Sequence, residues 1–257
     1  MATQMGLLRS AHWVPVRRAP GPLARSMWVW LGLLAYLAVV ELFITLVGAG
    51  LEHDPRSVLF SWPSLAIFGS AGLLGIWFSQ RTGFPSAWDV HRGRERLLYP
   101  TALGLGFGLL ATLLDQLTHG IPFFLEHSGL AQFNAPFPGS LLFYPGGAIL
   151  VEVLYRLLPI PLLLWLFSSV LLRGRAQREV FWTLAVLSSA IEPLSQDLLP
   201  LRAGATVLFV SQFGFDYAFN LAQAVTFRRA GFLAAIVTRV TMYLVWHVAY
   251  GNFICAC

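Results

Sequence analysis

The sequence predicts an all-α fold, a polytopic transmembrane helix bundle of seven helices, or eight if the fourth apolar run is two pieces. Three observations carry this. Of the 257 residues, 57% are hydrophobic and only 11% charged, whereas a soluble domain has about a quarter of its residues charged. Apolar runs of membrane-crossing length recur along most of the chain, each near the about 20 residues that a helix rising about 1.5 Å per residue needs to cross the hydrocarbon core. The basic residues, 17 in number and all Arg, fall mainly in short clusters between those runs. A net charge of +5 is compatible with nucleic acid, but clusters at the ends of apolar runs orient a protein in a membrane. The expected surroundings are the lipid bilayer, and no nucleic-acid partner is expected.

The runs are Met27–Gly50, Val58–Ser79, Leu97–His119, Leu141–Leu172, Val180–Leu199, Ala203–Phe227 and Ala230–Tyr250. In the fourth, Pro159 and Pro161 each remove a backbone donor and crowd the preceding turn, which is why it could be two helices. Residues 1–26 form a basic N-terminal segment, and 27–257 a single transmembrane domain. The first run is too long for a signal-peptide core and lacks a small-residue cleavage site, so it is expected to remain as an anchor. The longest less apolar connection, Gly120–Ser140, holds Pro122, Pro136 and Pro138 among aromatics. It is expected at the outer interface or re-entering the membrane, where irregular backbone has to be covered by protein.

Thirteen Arg lie on one side of this topology. They are Arg9, Arg17, Arg18 and Arg25 before the first run, Arg81, Arg92, Arg94 and Arg96 after the second, Arg173, Arg175 and Arg178 after the fourth, and Arg228 and Arg229 after the sixth. The opposite loops hold Arg56 and Arg202. Cytoplasmic loops keep Arg and Lys, so the N-terminus is expected in the cytoplasm. Cys255 and Cys257 are too close together for an ordinary structural disulfide, and the ending lacks the Cys four from the end that prenylation needs; both read as an incidental tail.

Charged groups at bilayer depth are costly and mark functional candidates. Glu41, Asp115 and Asp197 lie within or at the ends of runs, while Glu152, Arg156, Glu192, Asp216 and Arg239 fall near mid-depth. Glu152 and Arg156 are spaced i, i+4 with the acid first, the favourable order on one helix face. Tyr243 and His247 follow Arg239 at the same spacing. Three mid-depth acids against two Arg leave one acid over, so that a proton, a metal ion or a cationic substrate would complete the site. His12, His53 and His91 read as surface residues, with His119 and His127 near the outer mouth. His247 alone is embedded, and one His cannot hold zinc, which takes three or four ligands; Glu192 and His247 are the tentative metal ligands, with Glu152 a further carboxylate. There is no HExxH motif. Gly146-Gly147 is expected to permit close helix contact.

The stretch Ala148–Pro159, with Glu152 and Arg156, resembles the EExxxR motif of the CAAX-protease and bacteriocin-processing (CPBP) family of intramembrane proteases. The resemblance covers about 144–252. Val151 stands at the first Glu position. Ser188 and Glu192 stand where that family has FxxxH, so Glu192 replaces the His. After the turn Ala230-Gly231-Phe232, Arg239 and Tyr243 hold the places of the final His and Asn. The resemblance implies a seven- or eight-helix bundle in a prokaryotic cytoplasmic membrane. It also implies a polar cavity in which a water attacks a peptide bond, activated by Glu or by a divalent metal such as zinc. Glu152, Arg156, Glu192 and His247 are then the candidate catalytic residues, with Asp216, Arg239 and Tyr243 as further buried polar groups.

Two functions are expected from different classes. One is a CPBP-like protein that cleaves, or binds without cleaving, a hydrophobic or lipidated peptide or a membrane-protein partner. The other is a small transporter in which Glu152, Glu192 and Asp216 relay protons or cations past Arg156 and Arg239.

Overall fold

The computed structural model describes residues 21–52, 54–89, 92–129, 132–196 and 198–255. Arg9, Arg17, Arg18, His12, His53, His91, Asp197 and Cys257, which figure in the sequence argument, lie outside them. Among the described residues every regular element is helical. The helices are α1 (Gly21–Leu46), α2 (Trp62–Arg81), α3 (Arg94–Thr118), α4 (Gly120–Ser128), α5 (Ser140–Leu171), α6 (Gln177–Gln196), α7 (Thr206–Ala230) and α8 (Phe232–Phe253). Short helical turns at Pro55–Phe60 and Leu199–Arg202 precede α2 and α7.

Five helices, α1, α2, α3, α5 and α8, are long and apolar enough to cross a membrane, which makes this an integral membrane fold. Helices α6 and α7 have the length, 20 and 25 residues. They are more polar, carrying Arg178, Glu179 and Glu192 on one and Asp216, Arg228 and Arg229 on the other. The fourth apolar run is one continuous 32-residue helix despite Pro159 and Pro161. Its turns widen to π geometry at Val153–Leu157, on the side where the rings of Pro159 and Pro161 would meet the preceding carbonyls, which admits them without ending the helix, and again at Trp165–Leu171.

Helices α5 and α8 form the centre. Half of the apolar window of each is buried, against 22–33% for α1, α2 and α3. Helix α8 packs on α3, α5 and α7, while α2 rests on α1 and α5, and α6 on α7. The outward faces carry exposed Leu, Val and Ile, such as Leu109, Leu113, Leu187 and Ile191. Lipid is as apolar as these side chains, so helix association rests on close packing and interhelical hydrogen bonds. Close packing is built with glycine. A Cβ on Gly104 of α3 would run into the Thr238 carbonyl of α8, one on Gly108 would meet Val245 Cβ at 2.6 Å, and one on Gly75 of α2 would meet the Leu157 carbonyl of α5. Gly146 makes the expected close approach, against the Phe60 ring, whereas Gly147 faces open space.

The connection 120–140 folds against the bundle. The Asp115 carboxylate at the end of α3 accepts from the Ile121 N–H (2.7 Å), capping α4, and from the Tyr250 hydroxyl (2.8 Å). The irregular stretch that follows buries Asn134 and Ala135. Tyr144 of α5 holds it there, its hydroxyl accepting from the Ala135 N–H (2.9 Å) and donating to the Asn134 carbonyl oxygen (3.2 Å). Tyr144→Phe leaves the buried Ala135 N–H without an acceptor, and we expect thermal unfolding to show a loss of about 1–3 kcal/mol. At the C-terminus one expectation is corrected: Cys255, read as part of an incidental tail, is disulfide-bonded.

Candidate functional site

Where α5, α6, α7 and α8 meet, four charged side chains form one closed cluster. Glu152 and Arg156 share a face of α5, as their spacing predicts, and Arg156 Nη1 donates to Glu152 Oε1 at 2.9 Å. From α6, Glu192 accepts from Arg156 Nη2 at 3.0 Å. From α8, Arg239 donates through Nε to Glu152 Oε1 (2.8 Å) and through Nη2 to Glu192 Oε2 (3.1 Å), with its Nη1 2.8 Å from Glu192 Oε1. Two acids balance two guanidinium groups, and all four residues are at most 5% exposed. At that depth a charge persists only when paired and hydrogen-bonded.

Two amides of α7 complete the cluster. Asn220 Oδ1 accepts from Arg156 Nη2 (2.6 Å) and Arg239 Nη2 (3.0 Å). Gln223 accepts from Arg239 Nη2 (2.8 Å) and donates to Glu152 Oε1 (2.7 Å). The Tyr243 hydroxyl accepts from Arg239 Nη1 at 3.0 Å. Neither amide was singled out from the sequence, although a signal existed. Asp216, Asn220 and Gln223 follow one another at helical spacings of four and three, marking a polar stripe on an apolar helix.

The sequence expectation is corrected in one respect: two acids and two Arg close the cluster by themselves, and the third acid, Asp216, stands outside it, so no further cation is needed to complete it. Asp216 lies one turn before Asn220, half-buried, on the wall of a neighbouring cavity. His247 also stands apart from the carboxylates. Its Nδ1 is 2.8 Å from Asn134 Oδ1, and its ring stacks on Tyr144 at 4.1 Å and meets Tyr243 edge-on at 4.9 Å.

As placed, these side chains do not fit the zinc that the family resemblance implies. Guanidinium groups occupy both oxygens of Glu192, and a site beside two cationic side chains repels a divalent cation. The second candidate ligand, His247, bonds Asn134 through Nδ1 alone, but among the described residues no further ligand-type side chain converges on it with Glu192. Among the described residues no three His, Cys, Asp or Glu side chains converge as a metal site needs.

The cavity beside the cluster measures about 660 Å³. Glu192, Asn220 and Arg239 form its polar floor, and Phe133, Tyr144, Phe219, Tyr243, Trp246 and His247 supply most of its aromatic wall. Val151 also lines it, whereas Glu152 is behind the wall. The other end is bounded by Arg56, Thr118 and Leu199, at the helix ends opposite the Arg clusters. Arg56 stacks on Phe143 and Tyr144, 5.5 and 6.0 Å from the ring centroids, and is clamped by Asp54 at 2.6–3.2 Å. Burial alone would raise the Asp54 carboxyl, but the hydrogen bonds from Arg56 outweigh it and hold the pKa below the ordinary value. The stabilisation from this pair is therefore complete above the ordinary carboxylate pKa and is lost as pH falls through the lowered one.

Of the four candidate catalytic residues, then, Glu152, Arg156 and Glu192 come together, joined by Arg239 and Tyr243, while His247 lies beyond Tyr243 on the same cavity. No protein-family model, curated protein or solved structure matches the chain.

Proposed function

We propose that this is a multi-pass membrane protein of CPBP-like architecture that binds, without cleaving, a hydrophobic or lipidated peptide, either free or as a segment of a membrane-protein partner. The observation that carries this is the closed charge cluster. A general base needs a free lone pair within about 2.6–3.2 Å of the water that it activates. Glu192 spends both oxygens on arginine; Glu152 takes its donors on Oε1 and has an Oε2 unpartnered among the described residues, but it is buried and does not line the cavity from which a water would come. The positions that match the family motifs, Glu152, Arg156, Glu192, Arg239 and Tyr243, gather at one place, which supports common architecture. The substitutions at those positions turn a hydrolytic set into a neutral scaffold under an aromatic cavity. Binding of this kind needs no zinc.

The same proposal includes seven membrane crossings, with α6 and α7 as the two more polar ones, whose charged groups are covered by the bundle or lie at its ends. The N-terminus is on the cytoplasmic side, because the Arg clusters alternate with the spans. The cavity then faces outward. A proton relay through Glu152 and Glu192 is less well supported, since each is tied to two guanidinium groups.

The test uses the purified full chain in nanodiscs with a farnesylated peptide and its unlipidated counterpart, following binding by tryptophan fluorescence and cleavage by mass spectrometry. We expect saturable binding of the farnesylated peptide, intact peptide after incubation, and loss of binding in Gly147→Leu. Gly147 lines the cavity and its Cβ direction is open, so the new side chain fills the cavity without a clash. Cleavage that disappears in Glu152→Gln would overturn the noncatalytic assignment. Absence of binding, or binding indifferent to Gly147→Leu, would overturn the cavity as its site.

A further inference from the structure

A second concavity lies on the far side of α7, in the groove between that helix, the start of α3 and α6, and it has a different chemistry. It measures about 720 Å³. Its walls are apolar, with Leu103 of α3 facing Leu221 and Val225 of α7. Its charged groups gather at one end, where the exposed Arg229 sits with Tyr99 and Trp182. Tyr99 is 62% and Trp182 39% exposed, the amphipathic placement that such rings take at a membrane–water interface.

The charges at this end are not self-compensating. The acid in the groove, Glu95, lies 3.7 Å from Arg92. Among the described residues Arg229 has no ion pair, hydrogen bond or ring contact, so its guanidinium stands unpartnered at the mouth of an apolar groove. An acyl chain matches the walls and a phosphate matches the mouth. A partner helix would match the walls while leaving Arg229 at a polar boundary with nothing to neutralise it. Basic groups at the ends of grooves between membrane helices recognise anionic headgroups in this manner.

We propose that this groove binds one anionic phospholipid of the surrounding leaflet, its acyl chain against Leu103, Leu221 and Val225 and its phosphate on Arg229. The site is separate from the aromatic cavity, so the two proposals fail independently.

Native mass spectrometry of the full-length protein, released from nanodiscs of equal phosphatidylglycerol and phosphatidylcholine, tests it. The expected result is retention of one phosphatidylglycerol in preference to phosphatidylcholine by about fivefold, as one basic group near the surface supports. Arg229→Gln should bring the preference to parity, and Arg173→Gln, in the loop after α5, should leave it unchanged. Ala218→Trp places bulk in the groove from an exposed position and should lower retention of both lipids. Equal retention of the two lipids by the unaltered protein would overturn the proposal. So would an equal loss of preference in Arg229→Gln and Arg173→Gln, which would mark a diffuse surface attraction. Retention unchanged in Ala218→Trp would remove the groove as the site.

Discussion

Arg239→Gln is expected to destabilise the protein by about 3–5 kcal/mol, the cost of leaving a buried charge without its partner. For a domain of this length that lowers the unfolding midpoint by on the order of 10 °C, readable by circular dichroism in detergent or nanodiscs. The reason is specific to this side chain. Arg239 joins three helices at once, touching Glu152 of α5, Glu192 of α6, and Asn220 and Gln223 of α7. Once it is neutralised, Arg156 alone faces two carboxylates, Gln223 loses the arginine its carbonyl accepts from, and Asn220 keeps only Arg156 of its two donors. Glutamine at 239 can replace one hydrogen bond but neither the charge nor the fork that reaches both acids. Arg156→Gln is expected to act in the same direction. By contrast, Asp216→Asn, outside the four-residue charge balance, should cost less than Arg239→Gln, and an equal loss would mean that Asp216 belongs to the balance.

The second large effect concerns packing without charge. Gly104→Ala is expected to destabilise by about 1–3 kcal/mol or more, while Gly106→Ala, two residues away, should be neutral or slightly stabilising. Both substitutions raise intrinsic helix propensity by about 1 kcal/mol, so any difference in sign comes from the surroundings. At Gly104 the added carbon would press on the Thr238 carbonyl and come within 2.8 Å of Thr241 Cβ and 3.2 Å of the Met242 nitrogen. Most of that is backbone and cannot swing aside. At Gly106 nothing lies within 4 Å. Because α8 carries Arg239, a shift of α3 against α8 at Gly104 should also loosen the charge cluster. Melting curves of the two variants measured side by side test this.

The helical architecture was legible in the sequence because membrane length and apolarity are properties of runs, and runs survive without knowledge of neighbours. The fourth run shows the limit. Pro159 and Pro161 signal a break locally, yet the backbone widens into π turns and continues, a choice made by the helices packed around it. The site was legible in part for the same reason. Depth along a helix follows from counting, so Glu152, Arg156, Glu192 and Arg239 could be placed in one layer. The direction in which each side chain points depends on how α6, α7 and α8 rotate about their axes, which counting does not give. Asp216 shares the layer but turns to the cavity wall, so the third acid stands outside the cluster that it was expected to join. His247 drew attention as the single embedded histidine, while its partner Asn134 comes from an irregular stretch with no periodic signal. Asn220 and Gln223 carry no formal charge, so a search guided by charge passed over them even though they hold both arginines in place.

Glu192, on this reading of the cluster, neutralises arginine at the base of a binding cavity rather than activating water or ligating a metal. A double-mutant cycle on Glu192 and Arg239, read as unfolding free energy, tests this most directly. Each single variant, Glu192→Gln and Arg239→Gln, strands a buried charge, and the double variant strands none. We expect the double variant to be more stable than the sum of the single losses implies by about 1.5 kcal/mol or more. Losses that add to within about 0.5 kcal/mol would show the two residues to be energetically independent and would contradict it.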